Sequence, residues 1–278
     1  MEDLHALIGI EHDLERVSGM LRDAVQRLAA PVVGALEVTC SDESELECIA
    51  AFQRHFVEML LPDFKTAARA PFRTCNIGAR YEVGSIGTAE HHFALPESEH
   101  AFKVLVVKIN AHVAVADGLG GVEYGSLTRY RARSAACGAL HALLSGDELP
   151  ALTELRHTFG MDGVDRMATL LDAQRVPLQY RYLHAAICSA RLQARRATLD
   201  IQQHEVHSPT LYWVVPCVTL NRPGLDTEIV VGVESVDCRG EEPCAEYHGL
   251  GDDPTQYRVV MRGTRLQIES VQPPAPDA

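Results

Sequence analysis

Ala101–Val115 reads AFKVLVVKINAHVAV, and how this stretch is read decides the fold. It is too continuous and too rich in valine for a surface element, which predicts a strand buried along most of its length. Side chains alternate between the faces of a strand, so the two parities can be read separately. Odd positions place Leu105, Val107, Ile109, Ala111, Val113 and Val115 on an apolar face. Even positions begin with Phe102, Val104 and Val106 and then change to Lys108, Asn110 and His112. A cation, an amide and an imidazole therefore line one face at the end of a buried strand. Either they form a ligand site on a rigid sheet, or that face meets water where the sheet ends.

The preceding run Ala79–Phe93, ARYEVGSIGTAEHHF, also reads as extended, with Leu95–His100 as the return. An antiparallel hairpin over about 79–115 would bring Glu82, Glu90 and His92 toward the Lys108, Asn110 and His112 face. That arrangement makes a metal-free acid/base site: Lys108 binds an anion or tunes a neighbour, while His112 and Glu90 exchange protons.

Working outward, Leu7, Ile10, Leu14, Val17, Leu21, Ala24 and Leu28 step three and four apart. They predict an amphipathic helix over about 4–29 that serves either its own domain or a homo-oligomer seam. A strand is expected at Val32–Thr39, then a helix capped at Ser41 or Asp42 and ending near Pro62. Residues 63–78 read as irregular. Asp117-Gly-Leu-Gly-Gly follows the central strand. If a helix opened after it, Gly118, Gly120 and Gly121 would offer backbone amides to an anion, with Arg129 and Tyr130 lining the pocket. The turn carries neither a Walker ending nor a dinucleotide fingerprint, since Glu123 stands where that needs glycine. Helices are predicted over about 127–144, 149–158 and 163–174. Another starts at Pro177, its stripe running Tyr180, Leu183, Ile187, Ala190, Ala194, Ala197, Ile201. From Thr210 the pattern returns to strands: LYWVVPCVTL, in which Pro216 marks an edge or a bulge, then Glu228–Val236, then a hairpin of Tyr257–Met261 with Leu266–Glu269. The segment 271–278 should be disordered.

These elements predict an α+β fold: a mainly antiparallel sheet, made of the central hairpin and the strands of about 210–270, covered by three long helices. Residues 1–270 read as one domain, with a sub-boundary near 146–150.

With 278 residues, 46% of them hydrophobic and 23% charged, the composition is that of a soluble globular protein. A net charge of −13 argues against a nucleic-acid partner. No apolar run is long enough to span a membrane, and the N-terminus lacks a secretory pattern. Eight scattered cysteines without a CxxC pair suit reduced thiols in the cytoplasm. Thirteen histidines invite a divalent-metal reading, with His92, His112, His204 and His207 as ligands. Such a site needs three or four donors at about 2.0–2.3 Å from the ion. No HExxH or deaminase signature is present. The leading functional expectation is a small-molecule enzyme or binding protein for an anionic ligand. A His/Glu metalloenzyme and a non-catalytic scaffold assembled through its helices are the alternatives.

Overall fold

A computed structural model of the chain describes residues 12–13, 32–41, 71–93, 102–118, 121–124, 127–129, 132–134, 137, 181–204, 209–221, 227–239, 244–248, 257–262 and 265–270. In chain order the strands are β1 (His12–Asp13), β2 (Val32–Cys40), β3 (Phe72–Asn76), β4 (Lys103–Gly118), β5 (Gly121–Tyr124), β6 (Leu127–Arg129) and β7 (Ala132–Ser134). They continue with β8 (Thr210–Asn221), β9 (Thr227–Val230), β10 (Val233–Asp237), β11 (Cys244–His248), β12 (Tyr257–Arg262) and β13 (Arg265–Ser270). Helix α1 spans Ser85–His92 and helix α2 spans Arg181–Gln203.

The main sheet runs β1-β9-β8-β4-β2-β3. Its centre is parallel: β4 lies between β2 and β8 and runs with both, and β2 runs with β3. Antiparallel pairing lies on the flank, where β9 and β10 share one edge of β8, β11 adds to β10 and β1 to β9, and at the far end of β4, which pairs with β5. The expected mainly antiparallel α+β sheet is therefore wrong. The architecture is a mixed α/β sheet, and parallel neighbours require crossover connections of the kind that α1 and α2 supply.

The hairpin over 79–115 does not form, because 85–92 is helix α1. Gly84 at φ 89° starts it in the left-handed region that glycine tolerates, and the Thr88 amide donates to the Gly84 carbonyl. Ile86, Ala89 and Phe93, in the helix and at its end, are buried at helical spacing. A further strand, Phe72–Asn76, replaces the irregular reading of 63–78. Strands at 127–129 and 132–134 replace the start of the helix expected over 127–144. Among the described residues there is one long helix, α2, and not three. The helices expected over 42–62, 149–158 and 163–174, and the tail 271–278, lie outside the described residues. Of the helix expected over 4–29 only His12–Asp13 is described, and it is the short strand β1 paired with β9, not helix.

Helix α2 follows its predicted stripe. Leu183, Ile187, Ala190, Ala194, Ala197 and Ile201 are all buried, and they join apolar residues of the sheet in two clusters. The small alanines let the helix approach the sheet itself. Leu105, Val107, Ile109, Ala111, Val113 and Val115 lie under it as the odd-parity reading of β4 predicts. Pro216 sits at a bulge, not an edge. Its strand β8 is central, and the neighbouring edge breaks between β9 and β10 beside it, where the Val231 amide donates to the Pro216 carbonyl at 2.8 Å.

Candidate metal centre

The polar parity of β4 does not meet water. Lys108, Asn110 and His112 are each at most 1% exposed. In-register neighbours place their polar partners on the same face. Glu37 is opposite Lys108, Thr39 is opposite Asn110, and Thr219 is opposite His112. Lys108 pairs with Glu37 at 3.3 Å and also with Glu228, while Arg73 Nε donates to Glu37 Oε2 at 3.1 Å. Asn110 Nδ2 donates to Thr219 Oγ1 at 2.7 Å, and His112 Nδ1 lies 2.9 Å from Asn221 Oδ1.

Charge balance in this layer follows from burial. Burial alone would lower Lys108, but the Glu228 and Glu37 carboxylates outweigh it and hold the ammonium above its ordinary range. Burial pushes Glu37 up, opposed by Lys108 and Arg73. The Cys217 thiol, on the same face, is raised by burial and by Glu228. Lys108 thus stays charged, and its charge is met from within the sheet.

A different chemistry gathers where β2 stops and β4 runs on past it. Cys40 is the last residue of β2, and His112 lies two residues beyond Asn110, the last partner of β2 along β4. Cys137 comes in from the stretch after β7. The ligand atoms of Cys40, His112 and Cys137 all lie within 4.8 Å of one another, and all three residues are buried. The turn Ile77–Ala79 after β3 backs this group. Gly78 takes φ 71° and Ala79 takes φ 55°, and the Gly78 amide points at Cys40 Sγ, 3.3 Å away. Left-handed backbone at a non-glycine residue is costly and concentrates near functional sites.

Two thiols and an imidazole fit zinc by donor type. Ideal Zn–S and Zn–N bonds of about 2.3 and 2.0 Å need only a modest closing of the observed spread. This Cys/His/Cys group can hold a metal. Its place also fits a general rule of open sheets, in which sites form at the carboxyl ends of parallel strands.

The other residues singled out from sequence are dispersed. Glu90 is on the opposite face of the sheet. Its Oε1 accepts from the Tyr212 hydroxyl and from Thr210 Oγ1 at 3.4 Å, and Lys103 donates to its carbonyl at 3.2 Å. It therefore does not meet Lys108 or His112, because the hairpin that would have joined them is absent. His204 lies 3.6 Å from Glu90 Oε2 on that same far side. His92 is exposed on α1 against the rings of Phe72 and Phe93. Of the four expected histidine ligands, only His112 reaches the metal group, and His207 lies outside the described residues. Gly118 and Gly121 are paired across the β4–β5 hairpin. Among the described residues β6 and β7 come next, not a helix facing that turn. Arg129 is in β6, while Gly120 and Tyr130 lie outside the described residues.

No protein-family model matches the chain, and no curated protein matches it. Solved structures do. One is PtLCIB4, described as a homologue of the limiting CO2-inducible protein LCIB: 15% identity, TM-score 0.56, covering 86% of this chain and 94% of that one. Another is the limiting CO2-inducible protein LCIB: 14% identity, TM-score 0.51, covering 84% of this chain and 92% of that one. The chain shares their α/β fold. At such identities the likeness carries the fold alone.

Cys40 and Cys137 were not singled out as members of this group because scattered cysteines in apolar surroundings read as core thiols. The usable signal was positional: a cysteine closing a buried strand, beside a second buried strand that carries a histidine near its end. Among the described residues, no helix is long and apolar enough to cross a membrane.

Proposed function

We propose that this chain is a zinc enzyme that hydrates carbon dioxide, with Cys40, His112 and Cys137 as its protein ligands. The observation that carries this reading is the convergence of two thiols and an imidazole within 4.8 Å in the interior. Among the described residues no fourth donor of the same kinds joins them. Three protein ligands are the number used by catalytic zinc centres, which keep one position open, whereas structural centres close all four. When bound, zinc supplies Lewis acidity toward water and toward a small C=O electrophile.

The chain's own residues support a small, uncharged substrate. Beside His112 the face carries neutral groups, Asn110, Thr219 and Asn221. Lys108, the nearest buried cation along β4, already has two carboxylates. An anionic ligand finds less to bind there than the sequence suggested. Carbon dioxide is favoured within this class because neighbours of the same fold are described as the limiting CO2-inducible protein or its homologue.

Metal content of protein purified without chelators, followed by stopped-flow CO2 hydration with a pH indicator, tests the reading. Near-stoichiometric zinc that is lost in Cys40→Ser, Cys137→Ser and His112→Ala, together with hydration above the buffer rate, is the expected result. A wild-type protein that takes up no transition metal after zinc loading overturns it.

A further inference from the structure

We infer that Asn221 is a positioning residue that selects which nitrogen of His112 faces the metal, an inference that rests on the zinc reading above. His112 Nδ1 lies 2.9 Å from Asn221 Oδ1. An amide oxygen only accepts, so the hydrogen of this bond sits on Nδ1. A neutral imidazole protonated at Nδ1 carries its lone pair on Nε2, and only the lone-pair nitrogen can ligate. The contact therefore assigns Nε2 as the ligand atom.

The sheet fixes Asn221 for this task. It is the last residue of β8, and its register partner is Ala114, two residues after His112. Thr219, the direct partner of His112, is itself held by Asn110 Nδ2 at 2.7 Å. Two side-chain hydrogen bonds thus tie β4 to β8 at successive steps on one face. Asn221 is 2% exposed and His112 0%, so bulk water does not readily replace the amide.

The choice of an amide also matters electrically. Two cysteine thiolates already balance the charge of a zinc ion. A carboxylate at 221 would orient the ring equally well but would add a third negative charge nearby. Asparagine orients the ring without adding that charge.

Two measurements on the full-length, zinc-loaded protein test the assignment. Two-bond proton–nitrogen spectra of ring-labelled histidine should show His112 carrying hydrogen on Nδ1, with Nε2 shifted by the metal. Competition with a chromophoric chelator should show zinc affinity reduced about 10–100-fold in Asn221→Ala. Asn221→Asp, which keeps the acceptor, should restore affinity close to wild type. Melting curves of the zinc-free proteins separate folding from positioning, since a purely structural role lowers the zinc-free melting temperature of Asn221→Ala, whereas positioning lowers zinc affinity beyond any such loss. Zinc bound through Nδ1, or unchanged affinity in Asn221→Ala, overturns the inference while leaving the zinc site standing. A wild-type chain that binds no zinc removes the site and this inference together.

Discussion

Lys108 Nζ lies 3.3 Å from Glu37 Oε1, and the two residues are direct register partners on the parallel strands β2 and β4. Glu228 contacts the same ammonium from the other side. Lys108→Met removes the cation and leaves two carboxylates buried without it. Breaking a buried pair in this way costs about 3–5 kcal/mol. Urea unfolding at neutral pH should show a loss of that size. The loss should be smaller at about pH 5, because burial already raises Glu37 above its ordinary 4.5 and protonation removes a buried charge left with the partly exposed Arg73 as its cation. A deficit independent of pH would mean that Glu37 does not carry the cost.

Stability should fall on the alkaline side from about pH 9. Burial raises the Tyr81 hydroxyl, aided by Asp200, and raises the Tyr212 hydroxyl, aided by Glu90. The Cys238 thiol is pushed from 9.0 up to about 12 by burial and by Asp237. Each group keeps its proton when folded and releases it when unfolded. The unfolded chain then binds fewer protons, so the slope of stability with pH is negative. The contribution is complete below the unfolded values and is lost as pH rises toward the folded ones. Tyrosinate absorbance should therefore lag behind free tyrosine until the chain unfolds.

Gly34 faces the ring of Phe93. A Cβ at position 34 would stand 2.4 Å from Phe93 Cγ. Both residues sit in a tightly packed region between β2 and α1, so Gly34→Ala should cost about 1–3 kcal/mol through overpacking. Trimming Phe93 to leucine in the same chain should recover part of that loss. A Gly34→Ala variant as stable as wild type would show that the ring can move aside.

Glu90→Ala should lower stability and leave zinc binding intact. It strands the Tyr212 hydroxyl and removes the carboxylate that favours the buried Lys103 ammonium, whose pKa burial otherwise lowers. The cost is on the order of 3 kcal/mol. Metal analysis of the variant should match wild type, since Glu90 lies across the sheet from His112. Loss of zinc would place Glu90 in the metal site instead.

Zinc removal by a strong chelator should lower the melting temperature, and added zinc should restore it. Free zinc at 100 times its Kd stabilises by about 2.7 kcal/mol. Cys40→Ser should melt at the same temperature with and without zinc.

Much of the sheet was legible. The strands at 32–40, 103–118 and 210–221 announce themselves by length and valine content, and the α2 stripe by its period. The strand directions were not legible. A buried apolar run is the same string whether its neighbour runs with it or against it. Reading 79–93 as extended then supplied an antiparallel partner that does not exist. That one choice moved Glu90 to the wrong face. It also hid Cys40, which approaches His112 only because β2 runs parallel to β4. Helix α1 is short and carries few apolar residues, so its period is easily lost between strand-like flanks.

The charged layer also bears on how the chain assembles. A slip of one residue between β2 and β4 would turn Lys108 toward the apolar side and set Glu37 against Val107. Every mispaired sheet of this kind would bury a bare ion in hydrocarbon, whereas an all-valine centre would tolerate several alignments nearly equally. Lys108 and Glu37 thus act as a spelling check on strand assembly, so that His112 stops beside Cys40 in one alignment only.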